Sequence, residues 1–213
     1  MSFDISLYAY IYTTFMVNLA TIHNHVIVML NAGLSRALTY HNIPHTLDVA
    51  AQCMAIAKEE GITDKNTLLE LQVAALYHDT GFMFIYNNHE ERSCKLAREQ
   101  LPGFGMSEKA IENICELIMA TKVPQSPHND LQRIICDADL DYLGREDFFE
   151  TGAKLRLELI AYKFITGEND WEERQLDFLQ THQYFTKTSD KKRGPVKLEF
   201  LKQLVNNKNK ETT

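Results

Sequence analysis

Residues 74–81 read Ala-Ala-Leu-Tyr-His-Asp-Thr-Gly, and the interpretation of the whole chain starts from this stretch. It is apolar up to Tyr77, and then an imidazole, His78, stands directly beside a carboxylate, Asp79, before a Thr-Gly stop. Both groups need polar partners at a place where the preceding pattern predicts burial. A metal ion would satisfy both side chains, so the doublet is a candidate metal site.

Further candidate ligands lie on either side of the doublet. Residues 40–46 read Tyr-His-Asn-Ile-Pro-His-Thr, and residues 136–141 read Cys-Asp-Ala-Asp-Leu-Asp. The order of a histidine, a His-Asp doublet and a distant aspartate resembles the signature of the HD superfamily of metal-dependent phosphohydrolases. The resemblance covers roughly residues 40 to 145. It implies four metal ligands: His45, His78, Asp79 and Asp139.

The remaining pattern predicts helices and no strand. Apolar residues recur at helical spacing from His45 to Glu60, and Gly61 ends that run. Thr63 or Asp64 can cap the helix that leads to the doublet. Ser107 can cap a later helix. Asn129 or Asp130 can cap the helix that carries Asp139, and Gly144 is expected to end that helix. Further helices are expected at about residues 90–101, 147–165 and 170–185. We therefore predict an all-α protein, an HD-domain helical bundle of about seven to nine helices.

We expect three regions: an apolar helical extension at 1–36, the HD metal-dependent phosphohydrolase domain at 37–186, and a basic C-terminal tail at 187–213. Residues 5–34 are apolar and contain no Lys or Arg, but polar residues such as Asn18 and Asn24 interrupt them, and no cationic segment precedes them. We therefore predict a helix packed on the domain or against another subunit rather than a membrane anchor, which makes a homodimer plausible.

The tail carries eight Lys or Arg residues against three acidic residues. It is expected to form a short solvated helix with a frayed end; the alternative is that it holds an anionic substrate or an acidic partner.

Composition limits the choice of partners and compartment. The chain has 213 residues, 45% of them hydrophobic, a formal net charge of -7 and a pI near 5.6. No basic footprint is present, so binding to duplex nucleic acid is not expected. The four cysteines are isolated in apolar stretches, which predicts small core residues in a reducing compartment and hence a cytoplasmic protein.

Two imidazoles and two carboxylates suit a divalent transition metal such as manganese, iron, nickel, cobalt or zinc better than calcium, with magnesium as an alternative. The resemblance implies a phosphohydrolase that cleaves a phosphomonoester or phosphoanhydride of a nucleotide or a small phosphorylated metabolite with metal-activated water. Two alternatives stay open. One is a cyclic-nucleotide phosphodiesterase or guanosine tetraphosphate hydrolase, and the other is a catalytically silent sensor or interaction module that keeps its metal.

Three further residues have candidate roles near the metal. His89 stands where some dinuclear HD relatives place further ligands, so it is a candidate for a second metal or for a general acid. His41 lies four residues before His45 and is either a pocket residue or a locally bonded turn residue. Asp137 competes with Asp139 as ligand; the resemblance favours Asp139 and leaves Asp137 to orient the ligands.

Three cations are candidates for contacting a substrate phosphate. Lys122 stands at the helix end where dinuclear relatives tend to carry an extra histidine, and a protonated lysine cannot ligate a metal. We therefore assign it to the substrate. Arg145 and Arg92 are similar candidates; for all three, an exposed structural cation is the alternative.

Overall fold

The computed structural model describes residues 17–211, which form nine α-helices, three short 3₁₀ segments and no β-strand. The α-helices are α1 Leu19–Gly33, α2 Ile43–Glu59, α3 Lys65–Tyr77, α4 His89–Gln100, α5 Glu108–Ala120, α6 Asp130–Asp139, α7 Phe148–Ala161, α8 Glu168–Thr181 and α9 Lys187–Glu211. The 3₁₀ segments are Thr80–Met83, Leu101–Phe104 and Asp141–Gly144. This architecture confirms the predicted all-α class.

Polar side chains cap the starts of five helices. Each accepts a hydrogen bond from the backbone N–H three residues further along, and such a cap typically stabilises a protein by about 1 kcal/mol. The caps are Asn18, Asn42, Asp64, Ser107 and Asn129. Of the paired candidates in the sequence, the structure therefore uses Asp64 and Asn129. The Asn42 cap bonds the N–H of His45, which fixes that residue in the first turn of α2.

The main core is formed by α1 to α6. Helices α2, α3 and α6 pack against one another, and α5 packs against α3, α4 and α6. One contiguous cluster of buried apolar side chains fills the space between these helices. His45 lies at the start of α2, the His-Asp doublet follows α3, and Asp139 ends α6. The packing of these three helices therefore brings all four candidate ligands together.

Helix α1 belongs to this core from residue 19 onward. Its side chains Ile22, Val26 and Leu30 are buried against the other helices, whereas Val28 on the opposite face is exposed. Residues 1–16 of the predicted apolar extension lie outside the described part of the chain. Among helices between residues 17 and 211, none is long and apolar enough to cross a membrane.

Helix α9 differs from the prediction of a short, frayed helix. It runs for 25 residues and continues through Pro195. It packs on α8 and on the 3₁₀ segment Asp141–Gly144. The backbones of Gly144 and Arg193 lie so close that a side chain at position 144 would have no room. Gly144 thus ends the 3₁₀ segment and allows α9 to approach, whereas α6 already ends at Asp139.

The four cysteines are buried free thiols, as expected of small core residues. Cys94 and Cys115 are neighbours across α4 and α5. Their Sγ atoms lie 3.5 and 3.7 Å from each other's backbone carbonyl oxygens. The thiols therefore belong to the packing of the core.

Candidate metal centre

Four side chains converge at the ends of α2, α3 and α6. His45 Nε2 lies 3.3 Å from Asp79 Oδ2 and 3.2 Å from Asp139 Oδ1. His78 Nε2 lies 3.2 Å from the same Asp79 oxygen and 3.5 Å from the same Asp139 oxygen. His45, His78 and Asp79 each offer a ligand atom within 4.8 Å of the others. The structure thus brings together all four residues predicted as metal ligands.

A backbone hydrogen bond orients the imidazole of His78. Its Nδ1 lies 2.7 Å from the carbonyl oxygen of Ala75, a pure acceptor, so Nδ1 carries the proton and donates it. The other nitrogen, Nε2, points toward His45 and the two carboxylates, and in the neutral ring it has a lone pair for a metal ion. This arrangement is typical of a histidine that ligates a metal, because the second nitrogen fixes the tautomer and the ring orientation.

The hydrogen bonding of the cluster is incomplete without an ion. Asp79 Oδ2 is buried and accepts no well-aligned hydrogen bond, although two imidazole nitrogens lie nearby. The Nε2 atoms of His45 and His78 face each other at 3.4 Å. Two nitrogen and two oxygen donors that face one another in this way suit a borderline divalent cation. The residues present therefore fit the predicted metal.

The same proximity shifts the pKa values of the cluster in the metal-free protein. Burial lowers the pKa of His45, but its close approach to the Asp139 and Asp79 carboxylates outweighs that effect and raises the pKa to about 9. Burial raises the pKa of Asp139, but the bonds and charges of His45 and His78 lower it to about 2. The pKa of Asp79 is also well below its usual range, because the neighbouring histidines outweigh burial. Without metal, the cluster is thus held as imidazolium–carboxylate pairs.

His89 lies on the other side of the Asp79 carboxylate. Its Nε2 is 3.4 Å from Asp79 Oδ1 and 3.5 Å from Glu90 Oε1, and its Nδ1 is 3.0 Å from the carbonyl oxygen of Tyr86. Glu90 is buried, and its Oε2 has no hydrogen-bond partner among the described residues. Asp79 thus stands between two groups of potential ligands, and His89 and Glu90 are placed to hold a second cation.

The loop after the doublet is locked to α4 by Ser93, a residue that sequence reasoning did not single out. The Ser93 hydroxyl donates to the carbonyl oxygen of His78 at 2.7 Å and accepts from the Gly81 N–H at 2.8 Å. The backbone of Gly81 lies directly against the carbonyl of His89, where a Cβ would collide. Together these contacts hold His89 in place beside the doublet.

Asp137 lies away from the cluster. Its Oδ1 accepts from the Phe185 N–H at 2.8 Å, and its Oδ2 accepts from the Thr186 N–H and hydroxyl at 2.8 and 2.7 Å. Orienting the metal ligands was the expected role of Asp137, and these contacts do not serve it. Asp137 instead fixes the chain immediately before α9.

His41 pairs with Glu158, which sequence reasoning missed. The Glu158 carboxylate is fully buried on α7 and accepts hydrogen bonds from the Tyr40 N–H at 2.9 Å, the His41 N–H at 3.0 Å and the Tyr86 hydroxyl at 2.8 Å. It also bonds His41 Nδ1. Burial raises the pKa of Glu158, but the bond and charge of His41 outweigh it and lower the pKa. His41 is thus a long-range hydrogen-bond partner and not the locally bonded turn residue that was the alternative.

The three predicted phosphate-binding cations lie in different surroundings. Lys122 pairs with Glu91 and donates to Asn88 Oδ1 at 3.0 Å. Arg145 pairs with three aspartates at 2.6 to 3.5 Å and lines a side cavity of about 440 Å³ that also contacts His45 and Asp139. The Arg92 guanidinium lies 4.1 Å from the centre of the Phe84 ring. Of the three, only Lys122 lines the main cavity.

The main cavity, of about 620 Å³, opens beside the cluster. Asp79, Asp139 and His89 line its polar side, together with His41 and Lys122. Another part of its surface, which we call the apolar wall, is formed by Leu155, Leu159, Trp171 and Phe178. Cavities of roughly 300–1,000 Å³ accommodate small organic ligands. The candidate metal ligands therefore face a space large enough for a metabolite.

This geometry defines an all-α bundle with a candidate His/Asp metal site at its helix ends. Residues 42–141 match the family model of the HD domain, which confirms the resemblance seen in the sequence. The chain is also similar to the crystal structure of a predicted HD superfamily hydrolase from an uncultured Thermotogales bacterium, with 19% identity, a TM-score of 0.56, and coverage of 89% of this chain and 92% of that one. A search of curated proteins gives no match. The segment 42–141 is thus similar to the HD domain, and it contains all four residues of the candidate metal site.

Proposed function

We propose that this protein is a metal-dependent phosphohydrolase that cleaves a phosphomonoester or phosphoanhydride of a nucleotide or small phosphorylated metabolite. The observation that carries this proposal is the cluster of His45, His78, Asp79 and Asp139 at the polar side of the 620 Å³ cavity. The HD-domain match over residues 42–141 supports the hydrolase class.

The four cluster residues would hold the cation. When bound, a divalent cation supplies Lewis-acid charge and lowers the pKa of water, the chemistry that phosphoester hydrolysis needs at neutral pH. The protein's own contribution begins with the Ala75 carbonyl and the Asn42 cap, which fix the orientation of His78 and the position of His45. Histidine side chains that are already oriented in this way do not have to be reorganised during the reaction.

We assign proton donation to His41. Its Nδ1 is held by the buried Glu158 carboxylate, and its ring lines the cavity beside Asp79 and Asp139. The Nε2 atom has no partner among residues 17–211, so it is available to donate a proton to the leaving oxygen of a substrate. His41 stacks on Phe82, which in turn stacks on His89. These rings restrict the imidazole to one orientation at the cavity wall.

The test combines metal analysis with phosphate release. Purified wild-type protein, reconstituted with each candidate metal, is analysed for bound ions and assayed against nucleotides and simple phosphoesters. Asp139→Asn removes a charged ligand with little change in shape, and Asp130→Asn is a matched control at the exposed start of the same helix, α6. We expect Asp139→Asn to lose both bound metal and phosphate release, and Asp130→Asn to retain both.

The outcomes discriminate between the alternatives. A metal-loaded wild-type protein that releases no phosphate from any substrate would overturn the hydrolase proposal. Metal binding that persists in Asp139→Asn would remove that residue from the ligand set. Two ions per chain, with one lost in His89→Ala, would assign His89 to a second metal.

A further inference from the structure

The carboxamide of Gln175 is a polar group of the cavity surface that has no hydrogen-bond partner among residues 17–211. The side chain lies on α8 and is 8% exposed. Its amide N and O atoms make no hydrogen bond to any residue between 17 and 211, although Gln175 lines the 620 Å³ cavity. A carboxamide that lines a cavity without a protein partner keeps its donor and acceptor for a ligand or a bound water.

The surroundings hold this carboxamide in place. Gly152 on α7 faces it so closely that a Cβ at position 152 would lie 2.8 Å from Gln175 Nε2 and 3.4 Å from Trp171 Cζ2. Glycine at this position therefore leaves the space that Gln175 and Trp171 occupy. The amide is thus presented next to the apolar wall.

The wall beside Gln175 suits a flat ring. Trp171 is 7% exposed and packs with Leu155 and Leu159, and Phe178 adds a second aromatic side chain to the cavity surface. Aromatic side chains favour stacked or edge contacts with another ring. A ligand with an aliphatic chain would leave the Gln175 carboxamide without a hydrogen bond, and a sugar phosphate without a base would leave the apolar wall exposed to water. A planar ring with a hydrogen-bond donor and acceptor on its edge satisfies both features.

The charges of the cavity limit the number of phosphates. Two cationic side chains, Lys122 and Arg174, line it, and Lys122 is already paired with Glu91. Four acidic side chains line the same cavity: Asp79, Glu90, Asp139 and Asp177. Phosphates beyond the one held at the metal cluster would have to be compensated by Lys122 and Arg174, with Glu90 and Asp177 on the same surface. A single phosphate, placed at the metal cluster, is compatible with this balance.

We infer that the substrate is a nucleoside monophosphate whose base lies on the apolar wall and is recognised by the Gln175 carboxamide. This inference rests on the proposed phosphohydrolase function for its phosphate end, while the base end rests on Gln175 and the wall. A glutamine amide bonds a base edge through one donor and one acceptor, as glutamine does with adenine. Gln175 is therefore a specificity-determining residue, and Gly152 is the positioning residue behind it.

Trp171 provides a direct readout because it is the only tryptophan of the chain. The metal-loaded full-length protein is titrated with the four common nucleoside 5′-monophosphates and with ribose 5-phosphate, and tryptophan fluorescence is recorded. We expect saturable quenching by at least one nucleoside monophosphate and none by ribose 5-phosphate at the same concentrations. Equal binding of ribose 5-phosphate and the nucleotides would overturn the inference.

Substitutions of Gln175 test whether its carboxamide contacts the base. Gln175→Leu removes the amide, Gln175→Glu keeps its size but replaces its donors, and Gln180→Leu makes the same change as the first variant at an exposed site of α8. We expect both Gln175 variants to weaken binding of the preferred nucleotide about tenfold and Gln180→Leu to leave it unchanged. Circular dichroism establishes that each variant is folded. Wild-type affinity in either folded Gln175 variant would contradict the assignment.

The two proposals fail separately. Quenching that depends on Gln175, without phosphate release, would overturn the hydrolase proposal and support base recognition. Equal phosphate release from ribose 5-phosphate and the nucleotides, without a tryptophan response, would support hydrolysis and overturn base recognition.

Discussion

The segment 137–141 supplies aspartates to two regions of the molecule. One is the candidate metal centre; the other is the set of contacts that Asp137 and Asp141 make with residues 185–193 around the start of α9, which we call the α9 docking site. The carboxylates of the two regions have opposite surroundings. Asp137 accepts three hydrogen bonds from Phe185 and Thr186, and Asp141 accepts two from the Arg193 guanidinium, both at 2.8 Å. Asp139, between them, instead faces two histidines of the cluster at 3.2 and 3.5 Å.

The two regions differ in the groups that surround their buried carboxylates. At the α9 docking site, hydrogen-bond donors of the protein satisfy the carboxylates, so no ion is needed there. In the cluster, Asp79 Oδ2 is buried without a well-aligned donor, and the nearest groups are themselves metal-ligand types. Incomplete hydrogen bonding among ligand-type side chains, rather than burial of acids alone, thus distinguishes the candidate metal centre.

The largest expected effect tests this distinction directly. Asp79→Asn should abolish metal binding and reduce phosphate release on the order of a thousandfold or more, because the Lewis acid is lost with its ligand. Elemental analysis and a phosphate-release assay measure the two quantities, and Asp130→Asn again serves as the control. A variant that binds as much metal as wild type would break the comparison between the two regions.

Another buried carboxylate, that of Glu158, sharpens the comparison because it lies close to the cavity but is fully hydrogen-bonded. By the same reasoning it is a positioning residue for His41 and not a ligand. His41→Asn should reduce kcat about a hundredfold for an alkyl phosphate, whose leaving oxygen needs a proton, and much less for para-nitrophenyl phosphate, whose leaving group is a weak base. Glu158→Gln should show the same substrate dependence with a smaller loss and unchanged metal content.

If both His41→Asn and Glu158→Gln slow the two substrates equally, His41 does not donate the proton. A loss of metal in Glu158→Gln would show that the fully bonded carboxylate also supports the ligands.

Breaking the α9 docking site should change stability and leave metal binding intact. Arg193→Ala leaves the buried Asp141 carboxylate without its bidentate partner. Removal of one member of a buried ion pair typically lowers the free energy of unfolding by about 3–5 kcal/mol. Thermal or urea unfolding measures the loss, with Lys202→Ala, at an exposed position of the same helix, as the control. Loss of metal at temperatures where Arg193→Ala is folded would show that the two regions are not independent.

The smallest expected effect is a pH dependence that metal should remove. The folded pKa of His45, about 9, lies above its ordinary value of 6.5, so its contribution to stability is fully present below pH 6.5 and is lost as the pH rises through 9. The stability of the metal-free protein should therefore fall by about 3 kcal/mol across this range. Thermal unfolding with and without a chelator measures it; a flat profile for the metal-free protein would contradict the pairing.

Short-range signals in the sequence were sufficient to predict the helices and the ligand types. Helical spacing, caps such as Asp64 and Ser107, and the order of His45, the doublet and Asp139 are all readable along the chain. They are predictable because caps and periodicity depend on neighbours within one or two turns. The same locality explains why helix limits were close but not identical, as with α4 at His89–Gln100 against about 90–101.

Partners that are distant in sequence were decided only by the tertiary structure. Glu158 meets His41 across 117 positions, and Asp137 is removed from the metal site because the chain before α9 supplies its hydrogen bonds. Likewise, no local pattern marks Gln175 as a residue of the cavity, since its place depends on how α8 packs on Gly152 of α7. The sequence by itself determined the helical class and the types of side chain that can ligate a metal. The packing of the helices decided which carboxylates remain available to an ion, because the hydrogen-bond partners of a buried carboxylate come from residues that are distant in sequence.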